Sequence, residues 1–295
     1  MDGQIVAERL KSKIKERVGS LADSSIRPSL ATILVGDNPA SEAYVKSKHS
    51  ACTDVGIESR NIELPADTSQ QELHRNIGQL NEDNSITGIL LQLPLPTGLD
   101  DVLAICSIAP EKDVDGLHPK NLGLLIQKRA DLVPCTPKGV IALFNFYGVT
   151  MSGRHAVIIN RSKLVGRPLS QLLLNEDATV TVCHSKTESL KSVSKQADIL
   201  ITGIGHRSEF TVGADMIKPG AAVVDIGTSI VGGKQMGDVD FEGAMSVASC
   251  VSPVPGGVGP ITTAVLLYNT LLAACLQNKM KLGFTLDELR ATERS

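Results

Sequence analysis

The sequence predicts an α/β protein of two domains, each built on a parallel sheet, with the second doubly wound. Three observations carry this. Residues 30–93 alternate short apolar runs with stretches at helical spacing, the order that a parallel sheet covered by helices requires. Residues 155–227 repeat the alternation with four further apolar runs. Between them, 134–148 (PCTPKGVIALFNFYG) reads as one helix, with Pro137 in its first turn and Gly148 ending it, and forms the expected connector. The expected boundaries are 1–136 plus a C-terminal helix over 271–295 for the first domain, and 137–270 for the second.

Composition narrows the class. A chain of 295 residues with 42% hydrophobic and 21% charged residues is long enough for two proper cores and is that of a soluble globular protein. A net charge of −3, no Trp and 3% aromatics supply neither the electrostatic footprint nor the stacking platform of a nucleic-acid binder. No apolar run reads as long enough for a bilayer, and Met1-Asp2-Gly3-Gln4 lacks the basic start and apolar core of a signal peptide, so a cytoplasmic protein without a membrane partner is expected. The six cysteines are spread without a C-x-x-C pair and the six histidines form no H-x-x-x-H, so reduced thiols and no metal are expected. Cys183-His184 has the look of a nucleophilic dyad, but neighbours on a strand point to opposite faces, which favours ordinary packing.

In chain order, Ile5, Val6, Leu10, Ile14 and Val18 are spaced as one face of a first helix. A strand over 30–35 ends in the turn cluster Gly36-Asp37-Asn38-Pro39, after which a helix runs from Ser41 to a stop at Gly56. Tyr44, Lys48, Ala51 and Val55 fall at i, i+4, i+7 and i+11, which puts the Lys48 ammonium on a stripe otherwise fit for burial. A lysine there either snorkels or has chemistry to do. A strand over 60–64, a helix over 70–81 and an apolar strand over 86–93 follow, with Gln92 at the C-terminal end of the last, where open α/β sheets bind ligands. After a short helix over 101–107, residues 110–123 (PEKDVDGLHPKNLG) show no periodicity and read as a loop. Its Asp113 and Asp115 either make Asx-turns in solvent or aim a carboxylate into a cleft.

The second domain opens with a strand over 155–159, the polar loop 160–168 (NRSKLVGRP) with Gly166, and a helix over 168–174, an arrangement whose free backbone N–H groups suit a phosphate. The next strand, 179–183, ends in His184-Ser185-Lys186-Thr187 with no acid until Glu188, where a unit selecting an unphosphorylated ribose carries Asp or Glu. Hydroxyls and a cation there, with Arg161 in the first loop, suit a 2′-phosphate and favour NADP over NAD; a solvated turn is the plainer reading of the same four residues. Strands over 197–205 and 221–227 complete four β/α units, a Rossmann-type domain. The segment 251–262 (VSPVPGGVGPIT) has reason to be glycine-rich where backbone approaches a ligand or crosses between domains, and a helix follows over 263–277. The tail, 284–295, carries a short amphipathic pattern.

Together VGDNPASEAYVKSK, GILLQLPLP, PEKDVDGLHPKNLG, PCTPKGV, RSKLVGRP, ADILITGIG and PVPGGVGPIT resemble the bifunctional methylenetetrahydrofolate dehydrogenase/methenyltetrahydrofolate cyclohydrolase family, in order and spacing from the first helix to about Gln277. The resemblance implies oxidation of 5,10-methylenetetrahydrofolate by NADP and hydrolysis of the methenyl product to 10-formyltetrahydrofolate, a place in one-carbon metabolism and purine biosynthesis, a homodimer, and a folate cleft between an N-terminal catalytic domain and an NADP-binding domain. It implies that Tyr44 and Lys48 are the catalytic pair, that Gln92 tunes the lysine, and that Asp115 holds the pterin. Pro255, Gly256, Gly259 and Thr262 match the cleft wall; Arg161, Ser162 and Ser185 match cofactor contacts, with Gly166 and Thr228 beside them. A member retaining only the dehydrogenase is the alternative, and NAD with a phosphate ion would need the same donors. One position departs: the family usually has glycine where this chain has Asn160, and Asn is expected to keep the turn by tolerating the left-handed region.

Overall fold

The computed structural model describes residues 1–22, 24 and 26–289. In chain order the elements are α1 (Gly3–Ala22), β1 (Ser29–Val35), α2 (Pro39–Val55), β2 (Glu58–Leu64), α3 (Gln70–Glu82), β3 (Gly88–Leu91), α4 (Asp101–Ser107), α5 (Pro119–Ile126) and α6 (Cys135–Tyr147). There follow β4 (His155–Ile159), α7 (Gly166–Asn175), β5 (Thr179–Cys183), α8 (Leu190–Ser194), β6 (Ile199–Thr202), β7 (Ala222–Asp225), β8 (Ser229–Val231), β9 (Lys234–Met236), α9 (Phe241–Met245), β10 (Cys250–Val251) and α10 (Val258–Gln277). The chain divides into two compact units: Leu10–Cys135 with Thr263–Thr285, and Met1–Arg9 with Thr136–Thr262 and the described residues from Leu286 on.

The first unit holds a three-stranded parallel sheet in the order β2-β1-β3. All seven residues of β1 are buried, as a central strand covered on both faces demands. Ala31, Ile33 and Val35 on one face pack with Ile89 and Leu91 of β3, Leu73, Ile77 and Leu80 of α3, and Ala104 and Ile105 of α4. The buried stripe of α1 is Val6, Leu10, Ile14, Val18 and Leu21; Ile5 lies one residue, about 100°, off that stripe and is 53% exposed, which corrects the face expected for it.

Residues 110–123 are not the structureless loop expected. Lys112 and Asp113 are buried, and the second half of the segment begins α5, where Pro119 takes the first helical position and His118 Nδ1 accepts the Lys120 amide. Lys112 Nζ donates to the carbonyls of Leu80, Asn81 and Asp83 at 2.8–3.0 Å, capping the C-terminal end of α3. The Asp113 carboxylate accepts the His118 amide and the Asn121 side chain, both at 2.8 Å.

A third correction concerns α10. Its 20 residues have a mean hydropathy of 1.5 over the best window, long and apolar enough by composition to cross a membrane, and 72% of that window is buried inside the protein. Its Gly, Pro, Thr and Asn residues disguise the run in sequence. The helix ends at Gln277, so the expected helix over 271–295 is not continuous; Leu286–Leu289 form a 3-10 turn, and 290–295 lie outside the described residues.

The second unit holds a five-stranded parallel sheet in the order β10-β7-β6-β4-β5. Counted from β4, that is 2-1-3-4-5, the flavodoxin-like doubly wound order and not the 3-2-1-4-5-6 of a Rossmann sheet. The reversal, and with it the ligand crevice, falls between β4 and β6 at their C-terminal ends. The hairpin β8–β9, turned by Gly232 and Gly233 at φ 57° and 76°, is an element the sequence reading did not include.

Candidate active site

Local chemistry fixes α2 at both ends. Asn38 Oδ1 accepts the amides of Ala40 and Ser41, and Gly56, at φ 81°, closes the helix by returning its N–H to Cys52 and Thr53. Lys48 lies in the middle of this helix, and Gln92 follows β3, its own N–H donating to Ile33 of β1 at 2.9 Å. The Lys48 Nζ donates to Gln92 Oε1 at 2.9 Å, while Gln92 Nε2 donates to Leu93 O at 2.7 Å. Because the amide nitrogen is committed to the backbone, the oxygen is the atom Gln92 turns to the lysine.

Asp115 completes the cluster. Val114 beside it is fully buried, and Gly116 after it, at φ 70°, has no room for a side chain: a Cβ would meet Val133 C at 2.4 Å and Pro134 N at 2.6 Å. Asn269 of α10 donates to both Val114 O and Val133 O at 2.9 and 3.0 Å, pinning the two segments that carry Asp115 and Cys135. The Cys135 thiol bonds to the Asp115 carboxylate and lies 3.4 Å from Val114 O. Burial pulls the Lys48 amine below the usual lysine range, opposed by the charges of Asp115 and Cys135. Burial pushes the Asp115 carboxyl up, opposed by Lys48 and reinforced by Asp113.

The structure therefore brings Lys48, Gln92 and Asp115 together within one unit. Tyr44, one turn before Lys48, is 55% exposed and does not share the buried stripe; Val45 is the buried residue of that turn. An exposed phenol ring offers its face to a flat heterocycle. Cys135 and Asn269 were missed: the first registered only in a cysteine count, and the one signal of the second is an amide in an otherwise apolar helix.

The remaining expected residues lie in the second unit. Gly256, at φ 100°, accepts the Gly3 amide at 2.9 Å; Pro255 precedes it, Gly259 lies in the first turn of α10, and Thr262 Oγ1 bonds to Thr136 Oγ1 at 3.1 Å. Arg161, Ser162, Ser185 and Thr228 are exposed after β4, β5 and β7, and Gly166 is buried as the first residue of α7. The amides at the start of α7 are not free, contrary to expectation. Val165 N donates to Ser162 Oγ, Gly166 N to Asn160 Oδ1, and Arg167 N to Ser162 O, each at 3.1 Å. The turn after β5 is closed by His184 N donating to Thr187 Oγ1 at 2.9 Å and Lys186 N to His184 Nδ1 at 3.1 Å, which leaves Ser185 and Lys186 facing solvent.

Two carboxylates that no motif announced shape the neighbouring loops. Asp238 accepts Thr202 Oγ1 and the amides of Ile204 and Gly205 at 2.6–2.9 Å, and Asp225 accepts the amides of Gly227 and Val239 at 2.9 and 2.8 Å. Burial, with the nearby Asp238, pushes Asp225 up to about 6 despite those bonds. A Cβ on Gly227 would meet the Asp238 carboxylate at 2.2–2.4 Å, so only glycine passes there. A parallel sheet with a switch point, exposed hydroxyls and cations after β4 and β5, and glycine where backbone packs on backbone are the features a dinucleotide needs.

A dinucleotide crevice in one unit and a lysine held by an amide in the other define an α/β oxidoreductase with a second site fit for moving a proton. Family models described as "Tetrahydrofolate dehydrogenase/cyclohydrolase, catalytic domain" and "Tetrahydrofolate dehydrogenase/cyclohydrolase, NAD(P)-binding domain" match residues 1–115 and 134–278. The "Bifunctional protein FolD" of Nitrosopumilus maritimus is 49% identical over 280 residues, covering 95% of this chain and 98% of its own. The solved bifunctional enzyme of Campylobacter jejuni superposes with a TM-score of 0.91 at 44% identity over 95% of this chain and 98% of its own. The Trypanosoma brucei dehydrogenase-cyclohydrolase, solved with NADP cofactor and an inhibitor, gives 0.90 at 37% over 95% and 98%. The chain belongs to the tetrahydrofolate dehydrogenase/cyclohydrolase family. It is a bifunctional enzyme, dehydrogenase and cyclohydrolase, and the dehydrogenase-only alternative is set aside.

Proposed function

We propose that this chain uses NADP to oxidise 5,10-methylenetetrahydrofolate and then hydrolyses the methenyl cation at Lys48. In this reading the unit of Leu10–Cys135 and Thr263–Thr285 carries the folate chemistry and 136–262 carry the cofactor. When bound, the cofactor supplies a hydride acceptor. Arg161, Ser162, Ser185 and Lys186 would hold its phosphorylated ribose, supported by the lack of a carboxylate at the end of β5. Pro255, Gly256, Gly259, Thr262 and Thr228 are assigned to substrate and cofactor contacts by kinship of motif.

The observation that carries the hydrolytic role is the Lys48–Gln92 hydrogen bond of 2.9 Å. Gln92 Oε1 accepts a proton of the amine in either charge state, so a neutral Lys48 keeps its lone pair for water. Water adds to the methenyl carbon and gives a proton to Lys48 Nζ. The ring then opens as the adduct's hydroxyl gives up its proton, the carbon–oxygen double bond forms and one C–N bond breaks; the leaving nitrogen takes a proton, and the carbon becomes the formyl group on the other nitrogen. Asp115 accepts from the adjacent N–H groups of the pterin edge, and Tyr44 packs on the ring. Hydride transfer needs positioning and no base, so Lys48 matters less to it.

Lys48→Met is expected to abolish hydrolysis of methenyltetrahydrofolate, followed by absorbance, while NADP reduction by methylenetetrahydrofolate persists. Full hydrolysis by the folded variant would remove Lys48 from the mechanism. In the parent enzyme, NADP is expected to saturate at lower concentration than NAD; equal saturation, with added phosphate helping NAD, would assign the cation cluster to an inorganic ion.

A further inference from the structure

The nucleotide loop is held shut by a side chain of its own. Asn160 follows β4 directly and is not in the left-handed region, so the expected reason for its tolerance is not the operating one. Its amide turns inward at the switch point. Asn160 Oδ1 accepts the amides of Ser162 at 2.7 Å and Gly166 at 3.1 Å, and Nδ2 donates to Gly203 O just beyond β6. Neighbouring backbone is shaped to this amide. A Cβ on Gly166 would lie 2.1 Å from Asn160 O and 2.6 Å from Oδ1, and one on Gly203 would lie 3.3 Å from Nδ2.

One side chain thus joins the end of β4, the start of α7 and the end of β6. Ser162 and Arg167 extend the set, since Ser162 Oγ accepts the Val165 amide and Arg167 Nε donates to Arg161 O, both at 3.1 Å. Free donors at a helix start would have to be ordered by the arriving phosphate. Here the inner donors are already spent, and the loop presents the exposed Arg161 guanidinium and the Ser162 hydroxyl, whose hydrogen is not used in accepting from Val165.

We propose that Asn160 is a positioning residue for the cofactor: its amide clasps the β4 and β6 ends and holds the nucleotide loop in its binding shape before NADP arrives. The proposal rests on the NADP reading above. Preorganisation lowers the ordering cost of binding and leaves the hydride step itself untouched.

The test is calorimetric titration of NADP into the substrate-free enzyme, paired with amide hydrogen exchange at Ser162 and Gly166 without cofactor. Asn160→Gly is expected to exchange faster at both amides and to bind NADP about tenfold more weakly, with kcat of the dehydrogenase little changed as its KM for NADP rises. Asn160→Ser keeps an acceptor for the Ser162 amide and is too short to reach Gly203; it is expected to fall between the two, and serves also where the glycine variant lacks a cooperative unfolding transition. A parent that binds NADP together with a folded glycine variant that binds it equally or more tightly overturns the proposal alone. A parent that binds neither NADP nor NAD overturns the cofactor reading and the proposal with it.

Discussion

At Lys48 the decisive feature is the direction of one amide. Gln92 Nε2 is tied to Leu93 O, so Oε1 faces the amine and leaves the lysine free to be neutral, toward which burial already drives it. Gln92→Glu would place a carboxylate at that position, stabilise the ammonium, and raise the Lys48 pKa. Methenyl hydrolysis should then begin its rise at correspondingly higher pH, read from kcat between pH 6 and 10. A profile that does not move would show that Lys48 is not the titrating base. Spacing put Gln92 at a strand end and Lys48 on a helix stripe, both legible in sequence, while Asp115 stood in a segment without periodicity and was singled out only by the family resemblance. Tyr44 was placed wrongly by the same kind of spacing: a 3.6-residue stripe says which residues share a face and does not say how far along the helix that face is covered.

Among the elements, α3 and α5 show where such reading stops. The range of α3 was legible from its apolar period, and the structure adds Ser69 Oγ accepting the Glu72 amide at its start, but its C-terminal cap comes from Lys112, about 30 residues on, whose ammonium binds three carbonyls. Lys112→Met keeps most of the stem and orphans those carbonyls; a loss of about 3 kcal/mol in urea unfolding is expected, and a variant as stable as the parent would mean that water replaces the cap. Helix α5 was hidden because Pro119 and Gly123, both turn-formers by habit, sit inside it. The Asn160 clasp was likewise illegible, since the partner of its amide, Gly203, is 43 residues away and becomes a neighbour only through the β4–β6 pairing.

For the whole molecule, the alternation of strands and helices gave two α/β units, while the placement of the third strand of the second sheet beside the first had no local signal. The Asp225–Asp238 arrangement is a product of that order, joining loops after β6 and β7. It also sets a pH dependence. The carboxyl of Asp225 titrates near 3.8 when unfolded and near 6 when folded, so between those values the folded chain keeps a proton that the unfolded chain has released. Its contribution to stability is therefore present below about pH 4, falls as pH rises to about 6, and stays lost above, by on the order of 3 kcal/mol. Calorimetric melting from pH 4 to 8 should show that decline, and Asp225→Asn should flatten it; an undiminished decline in the variant would assign it to other groups.

The Asn269 bonds to Val114 and Val133 close contacts across 155 and 136 residues of chain. During synthesis this has a consequence in time. A chain grown to 260 residues already contains Lys48, Gln92, Asp115 and every strand of the two parallel sheets, yet the residue that pins the Asp115 and Cys135 segments has not been polymerised. Elongation past α10 is thus the step that completes the unit holding Lys48, and the five-stranded sheet, whose strands are contiguous in the chain, is free to form ahead of it.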